Sequence, residues 1–182
     1  MGKVFERPEL RTQRLHLRPF NVDDVDRIAL FISDYDISKW LARVPYPYEH
    51  EHAIDWVAQN AVPMPADRTG FALDRGEGLI GGIGFRLDEG VPDIGYWLAK
   101  PHWGKGLMSE AANAAIGWLF EVTDRDRIAS GVFEGNAASL RIMEKLGFEI
   151  TGQHTVHSLA QGVDLPHIDT LLKRNKFRPL AK

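Results

Sequence analysis

Cysteine is absent from the sequence, which removes disulfides, thiolate zinc sites and cysteine nucleophiles together. A chain without thiols suits the cytoplasm. No apolar run is long enough to span a bilayer, and the opening Met1-Gly2-Lys3-Val4-Phe5-Glu6-Arg7 lacks the apolar centre of a signal peptide. A membrane partner is therefore not expected. Charge of one sign is scarce as well: 22 Lys and Arg against 25 Asp and Glu leave a formal net charge of -3. A mainly electrostatic nucleic-acid binder is strongly basic, so no nucleic-acid partner is expected. Internal repeats, low-complexity runs and linkers are also missing, and 182 residues suit one domain, 1–182. Hydrophobic residues at 44% and charged residues at 26% are enough for a sizeable core under a soluble surface.

What is present alternates between helix and strand periods. Arg14-Leu15-His16-Leu17-Arg18 alternates polar and apolar residues, which predicts a strand with one buried face. Asn21 can cap a helix running through Val25, Ile28, Ala29 and Ile32. A short helix is expected around Ile37, Trp40 and Leu41, before the Pro45-Tyr46-Pro47-Tyr48 turn. Another is expected over 49–61, and Pro63 and Pro65 close this helical half. Strands follow at Phe71-Ala72-Leu73 and 79–87, joined through Gly76-Glu77-Gly78, and at 94–98, ending before Pro101. The longest helix is predicted over 107–122, with Met108, Ala111, Ala112, Ala115 and Leu119 on one face. A strand at 128–133, a helix at 136–146 and strands at 148–156 and 168–172 complete an α+β domain with a mixed sheet.

The most informative segment is Pro101-His102-Trp103-Gly104-Lys105-Gly106-Leu107-Met108-Ser109-Glu110-Ala111, set between a strand and an alanine-rich helix. The first turn of a helix carries unpaired N–H groups and a partial positive charge, so it stabilises an anion. Glycines there let the backbone approach a pyrophosphate with no Cβ in the way. Because the donors are main-chain groups, such a site works in an acidic protein. On the motif alone, a tight strand–helix turn without a ligand stays open. Ser109 stands at the third glycine position of a dinucleotide fingerprint, and no Gly-Lys-Ser/Thr follows for a Walker loop. Gly81-Gly82-Ile83-Gly84 lies inside a strand pattern and reads as close backbone packing or a bulge. Glu49-His50-Glu51-His52 spaces its side chains two apart, off any shared helical face, and reads as a solvated helix start with no metal.

Three blocks carry a family resemblance. Ile94-Gly95-Tyr96-Trp97-Leu98 with Trp103-Gly104-Lys105-Gly106 and Glu110-Ala111 resembles the cofactor motif of the GNAT superfamily of N-acetyltransferases. Asn136-Ala137-Ala138-Ser139 followed by Glu144-Lys145-Leu146-Gly147-Phe148 resembles its next helix. Thr12-Gln13-Arg14-Leu15-His16-Leu17-Arg18-Pro19 resembles the RimJ/RimL branch, named for acetylation of ribosomal-protein N-termini. The resemblance runs over about 12–172 and implies a mixed, mostly antiparallel sheet splayed at its central strands, 94–98 and 128–133, with helices on both faces. It implies acetyl-CoA as cosubstrate, with the pantetheine arm along the backbone of Trp97 and Leu98. The pyrophosphate would lie on Trp103, Gly104, Lys105, Gly106, Leu107 and Met108. Acetyl would pass directly to a primary amine, with a main-chain N–H polarising the thioester carbonyl.

Two residues depart from the family pattern. Pro101 stands where an Arg or Gln is frequent, and Met143 stands where many members carry the tyrosine that protonates the departing thiolate. The resemblance makes Ser139 the substitute, beside its local reading as a first-turn helix residue. It gives Asn136 a hydrogen bond to the pantetheine, beside its role as a helix cap. Gly147 and Phe148 have a structural account as a left-handed cap and its apolar contact. Lys105, Arg141 and Lys145 would meet the cofactor's phosphates or simply face solvent. Trp40, Tyr46, Tyr48 and Trp56 would line the helical half that covers the acceptor, or form its core.

The acceptor sets how much a base must do. An α-amine of pKa ~7.7–8.0 is roughly a quarter free near neutral pH, whereas a lysine amine is about 0.1% free. Glu134, at the end of a splayed strand, leads the candidate bases, followed by Asp93 and His154; each also reads as a solvated surface group. A protein N-terminal α-amine is the first acceptor reading and a small-molecule amine, a polyamine or an antibiotic, the second. A CoA-binding module without turnover is the alternative of another class, and an interaction scaffold would leave the glycine turn unexplained. The expected state is monomer or homodimer.

Overall fold

The computed structural model describes residues 9–60, 67–87 and 90–180. Its strands are β1 (Leu10–Arg11), β2 (His16–Arg18), β3 (Arg68–Asp74), β4 (Leu79–Arg86), β5 (Asp93–Leu98), β6 (Arg127–Phe133), β7 (Glu149–Ser158) and β8 (Val163–Lys173). Its helices are α1 (Val25–Ile32), α2 (Tyr35–Ser38), α3 (His50–Asn60), α4 (Leu107–Val122) and α5 (Ala137–Leu146). The strands form one sheet in the order β1-β2-β3-β4-β5-β6-β8-β7. Every neighbouring pair is antiparallel except β5 with β6. This is the mixed, mostly antiparallel α+β fold expected from the sequence.

Alternation along the strands assigns each face its helices. Phe71 and Leu73 of β3 pack with Ile83, Phe85, Ile94, Leu98 and the Met108, Ala112, Ala115 and Leu119 face of α4, joined by Met143 and Leu146 of α5. Ala72, between them, turns to the other face and packs with Leu79, Phe20, Ile28, Ile32, Ala53 and Val57 below α1 and α3. β3 and β4 are thus buried on both sides, which explains their continuous apolar character. Alanines let α4 lie close to the sheet. In β4, a Cβ on Gly81 would fall 2.5 Å from the Trp97 carbonyl and one on Gly84 2.7 Å from that of Thr69, so close packing is the reason for these glycines.

Several boundaries differ from the sequence expectation. The strand at 14–18 begins at His16, because Thr12 closes a turn instead: Leu15 donates its N–H to the Thr12 hydroxyl at 2.9 Å. Asp34 caps α2 by accepting from the Asp36 N–H at 2.9 Å, which starts that helix before Ile37. β8 is longer than 168–172: Pro166 reads as a strand breaker, yet it lies beyond the last β6 pair, Phe133 with His167, where the ladder needs no donor from it. Residues 61, 63 and 65 of the helical half lie outside the described residues. Among the described residues no helix is long and apolar enough to cross a membrane.

Arg18 ties β2 to the helical half. Its guanidinium donates to both carboxylate oxygens of Asp24 at 2.8 and 2.7 Å, and Asp24, 2% exposed, also accepts the Asn21 N–H at 2.9 Å. Asp24→Ala would leave that guanidinium with Asp74 as its one carboxylate beside the Pro19 carbonyl, so urea denaturation should show a loss of about 3 kcal/mol. A loss below about 1 kcal/mol would mean that the pair is a surface-type contact.

Candidate active site

The central strands part after one residue pair. Asp93 and Ala129 are the only registered partners of β5 and β6 among the described residues. The Ala129 N–H donates to the Pro92 carbonyl at 2.7 Å and the Ser130 hydroxyl to that of Ile94 at 2.9 Å. Beyond them the strands diverge around a cleft of about 1390 Å³ that reaches from α2 and α3 to the 101–106 turn and α5.

Which main-chain groups face this gap follows from the phase of the ladder. Ala99 donates to the Ile80 carbonyl on the β4 side, and antiparallel ladders alternate, so Trp97 also turns its main chain to β4. Leu98, Tyr96 and Ile94 turn theirs to the gap. The Leu98 carbonyl is already taken there by the Trp103 indole N–H at 2.6 Å. Both main-chain groups of Tyr96 and the Leu98 N–H have no partner among the described residues. Of the two residues expected along the arm, Leu98 thus has an open N–H facing the gap, whereas Trp97 turns its main chain to β4 and lays its indole across Gly82.

At the end of this edge, Gly104 and Gly106 adopt left-handed φ angles of 71° and 74°. The first helical bond of α4 is from the Glu110 N–H to the Gly106 carbonyl at 3.1 Å, and none of the N–H groups of 104–109 has a partner among the described residues. The turn is held from behind. Glu110 accepts from the Thr12 hydroxyl at 2.6 Å, the Arg14 N–H at 2.9 Å and the Arg14 Nε at 2.7 Å, and Arg14 also donates to the Lys105 carbonyl at 2.8 Å. Burial raises the Glu110 pKa, but these hydrogen bonds outweigh it and hold the carboxyl below its usual range. Lys105 folds back so that its ammonium donates to the Pro101 carbonyl at 2.8 Å. Burial, with the charges of Lys105, Arg75 and Arg27, holds the neighbouring His102 imidazole below its usual pKa.

The opposite wall is the start of α5. The Asn136 side chain caps the helix by accepting the Ser139 N–H at 3.2 Å, and its amide nitrogen has no partner among the described residues. The Ser139 hydroxyl lies 2.8 Å from the Tyr96 phenol, so these two side chains join β5 to α5 beside the gap. Burial pushes the phenol pKa up to about 12, against the hydrogen bond to Ser139. Met143, at the position of the absent tyrosine, is buried in the core and accepts from the Thr170 hydroxyl at 3.3 Å. Tyr96 belongs to the strand motif, and its parity with Ile94 and Leu98 placed it on the α4–α5 face. Its partner 43 residues away was not legible.

On the other face, Trp40, Tyr48 and Trp56 line the cleft, whereas Tyr46 does not and packs against Tyr35. Arg141 and Lys145 line it near α5. Glu134, the first candidate base, is exposed and lies outside the lining; Asp93 is paired with Arg86. His154 lines the cleft with its Nδ1 2.9 Å from Asp169, beside His167, which the sequence reading did not single out. His154, His167 and Asp169 together could hold a metal ion. The 49–52 segment is the helix start expected of it: His52 Nδ1 accepts the Glu49 N–H at 2.9 Å, and His50 pairs with Asp26.

Residues 14–149 match the acetyltransferase (GNAT) domain family, and the chain belongs to that family. It is an N-acetyltransferase, with relatives so named. It is 28% identical over 172 residues to the uncharacterized N-acetyltransferase p20 of Bacillus licheniformis, covering 91% of this chain and 96% of that protein. The spermidine N-acetyltransferase of Vibrio cholerae, solved with CoA and spermine, superposes with a TM-score of 0.76 at 18% identity, covering 91% of this chain and 98% of that one. The ribosomal-protein-S5-alanine acetyltransferase of Vibrio fischeri superposes with a TM-score of 0.76 at 20% identity, covering 95% and 100%.

The glycine turn can be tested directly. A β-branched residue in a left-handed conformation costs about 1–2 kcal/mol, so the variant turn relaxes out of the cradle shape, and restoring it on binding costs roughly tenfold in affinity. Gly106→Val should therefore weaken CoA binding about tenfold or more in calorimetric titration. An unchanged Kd would show that the turn is not the cradle.

Proposed function

We propose that the chain transfers acetyl from acetyl-CoA directly to a primary amine, with a peptide or protein N-terminal α-amine as the preferred acceptor. The observation that carries this reading is the run of unpartnered amides at 104–109 at the end of an open strand edge. The pyrophosphate would sit on those amides, from Gly104, Lys105 and Gly106 into Leu107 and Met108, with Trp103 fixing the turn. The arm would replace the missing β6 partner along Leu98 and Tyr96, meeting the Asn136 amide from the other wall. One N–H of this edge, from Tyr96 or Leu98, would polarise the thioester carbonyl.

Ser139 stabilises the departing thiolate by a hydrogen bond, in place of the tyrosine acid that Met143 replaces. A thiol has a pKa of ~8.5, so neither a phenol pushed up to about 12 nor the still weaker acid of a serine hydroxyl gives its proton to a thiolate. Tyr96 instead acts as a fixed donor to Ser139, leaving the serine O–H to face the sulfur. The attacking amine supplies the proton that the thiolate takes up. For the base, His154 takes precedence over Glu134, because it lines the cleft and Asp169 orients its ring.

Charge favours an α-amine over a polyamine. A polycation needs several uncommitted carboxylates, yet Asp93 is paired with Arg86 and Asp169 with two histidines, which leaves Asp55 alone among the described lining carboxylates, while Arg43, Arg141 and Lys145 line the same cleft. The RimJ/RimL reading gains a physical basis in the same way, since Thr12 and Arg14 of that motif hold Glu110. We take the protein to be a single-domain cytoplasmic enzyme, monomer or homodimer. A small-molecule amine is the second acceptor reading.

A thiol-release assay across N-terminal peptides, spermine and aminoglycosides separates these readings. Turnover is expected on peptides first, and turnover confined to spermine or an aminoglycoside would overturn the α-amine reading. With the best acceptor, Ser139→Ala and Tyr96→Phe should each lower kcat about tenfold or more with CoA affinity within about twofold. Wild-type rates in both variants would remove the pair from the chemistry.

A further inference from the structure

We propose that His154, His167 and Asp169 form a binding site for a divalent cation of the zinc class on the acceptor side of the cleft. The hairpin of β7 and β8 brings them together: His154 and His167 are directly paired across the two strands. Asp169 follows His167 by two residues and so shares its face. One ligand atom from each lies within 4.8 Å of the others. Asp169 offers one oxygen at 2.9 Å from His154 Nδ1 and the other at 3.4 Å from His167 Nδ1. A tetrahedral zinc ion with bonds of ~2.0–2.2 Å spaces its ligand atoms about 3.3–3.5 Å apart.

The backbone makes room for the cluster. Both cross-strand neighbours of Asp169 are glycines, Gly131 on β6 and Gly152 on β7, the latter placed there by a register irregularity between Ile150 and Gly152. A Cβ on Gly131 would fall 2.1 Å from a carbon of the His167 ring, so the imidazole occupies that place because residue 131 has no side chain. The carboxylate thus sits in a notch with a histidine on two sides. Bulge-type irregularities re-aim side chains in this way beside functional sites.

The donor set selects the ion. Two imidazole nitrogens and one carboxylate suit zinc, with a fourth position left open to water or a substrate atom. Magnesium and calcium prefer all-oxygen sites. Without an ion, the histidine–aspartate hydrogen bonds hold the same three side chains in place. A bound ion would occupy His154 and add positive charge where an ammonium must enter, which would inhibit transfer. That consequence rests on the function proposed above; binding itself does not.

The test is calorimetric titration of the tag-free full chain with zinc sulfate, with magnesium sulfate for comparison and cobalt(II) absorption as a coordination signature. One zinc ion per chain is expected, and no heat from magnesium. The affinity should fall at least tenfold in His154→Ala and in His167→Ala, and remain unchanged in His52→Ala. The His154 side chain is 54% exposed, so its removal leaves the core intact. Absent zinc binding, or binding undiminished in His154→Ala and Asp169→Asn, would overturn the proposal. No acetyl-CoA or amine enters the experiment, so its failure leaves the acetyl-transfer reading standing, and the reverse holds too.

Discussion

The parting of β5 from β6 after the Asp93–Ala129 pair is the constraint on which the rest of the site depends. Inside a sheet, an unpaired strand edge is costly, because a buried main-chain group without a partner forfeits about 1–3 kcal/mol. The protein keeps Tyr96 and Leu98 in that condition by opening a cleft beside them, where water or an extended ligand can supply the missing bonds. Both α4 and α5 pack on the sheet through one shared apolar cluster. A strand-shaped vacancy is part of the stable fold.

Everything around the vacancy is held from a distance. Glu110 sits in the first turn of α4, where a carboxylate is stabilised by the helix end, and receives three hydrogen bonds from Thr12 and Arg14. Those bonds fix the turn through its far side and leave its amides unspent. On the other wall, the Asn136 cap fixes the start of α5 and with it Ser139. The proposed anion-binding end, the strand edge and the hydroxyl pair thus belong to separate elements that meet at one gap. Preorganised donors of this kind need no rearrangement when charge develops near them.

Much of this was legible in the sequence, and the reasons for the rest are specific. Helix α4 was read at its observed bounds because a glycine turn opens it and its apolar face is unbroken. The Asn136 cap was legible because a cap is a local event. The choice between Tyr96 and Trp97 as the open main-chain edge was not, because it depends on the hydrogen-bond phase of β4 against β5. Periodicity gives the side-chain faces and says nothing of that phase. Glu134 looked well placed at a strand end, yet its N–H bonds to Pro166 and its exposed side chain lies outside the cleft lining that Phe133 and Asn136 share. Asp169 lay within the strand read at 168–172, but His167 fell just outside it, beside Pro166. Their meeting with His154 needed the hairpin register.

The most direct measurement of the central claim is amide hydrogen exchange at single-residue resolution, with and without saturating CoA. The account requires the amides of 104–109, together with those of Tyr96 and Leu98, to slow markedly when CoA is added, while the amides already bonded to β4 at Trp97 and Ala99 change little. If 104–109 exchange at the same rate in both states while CoA is demonstrably bound, the ligand is held elsewhere and the account fails.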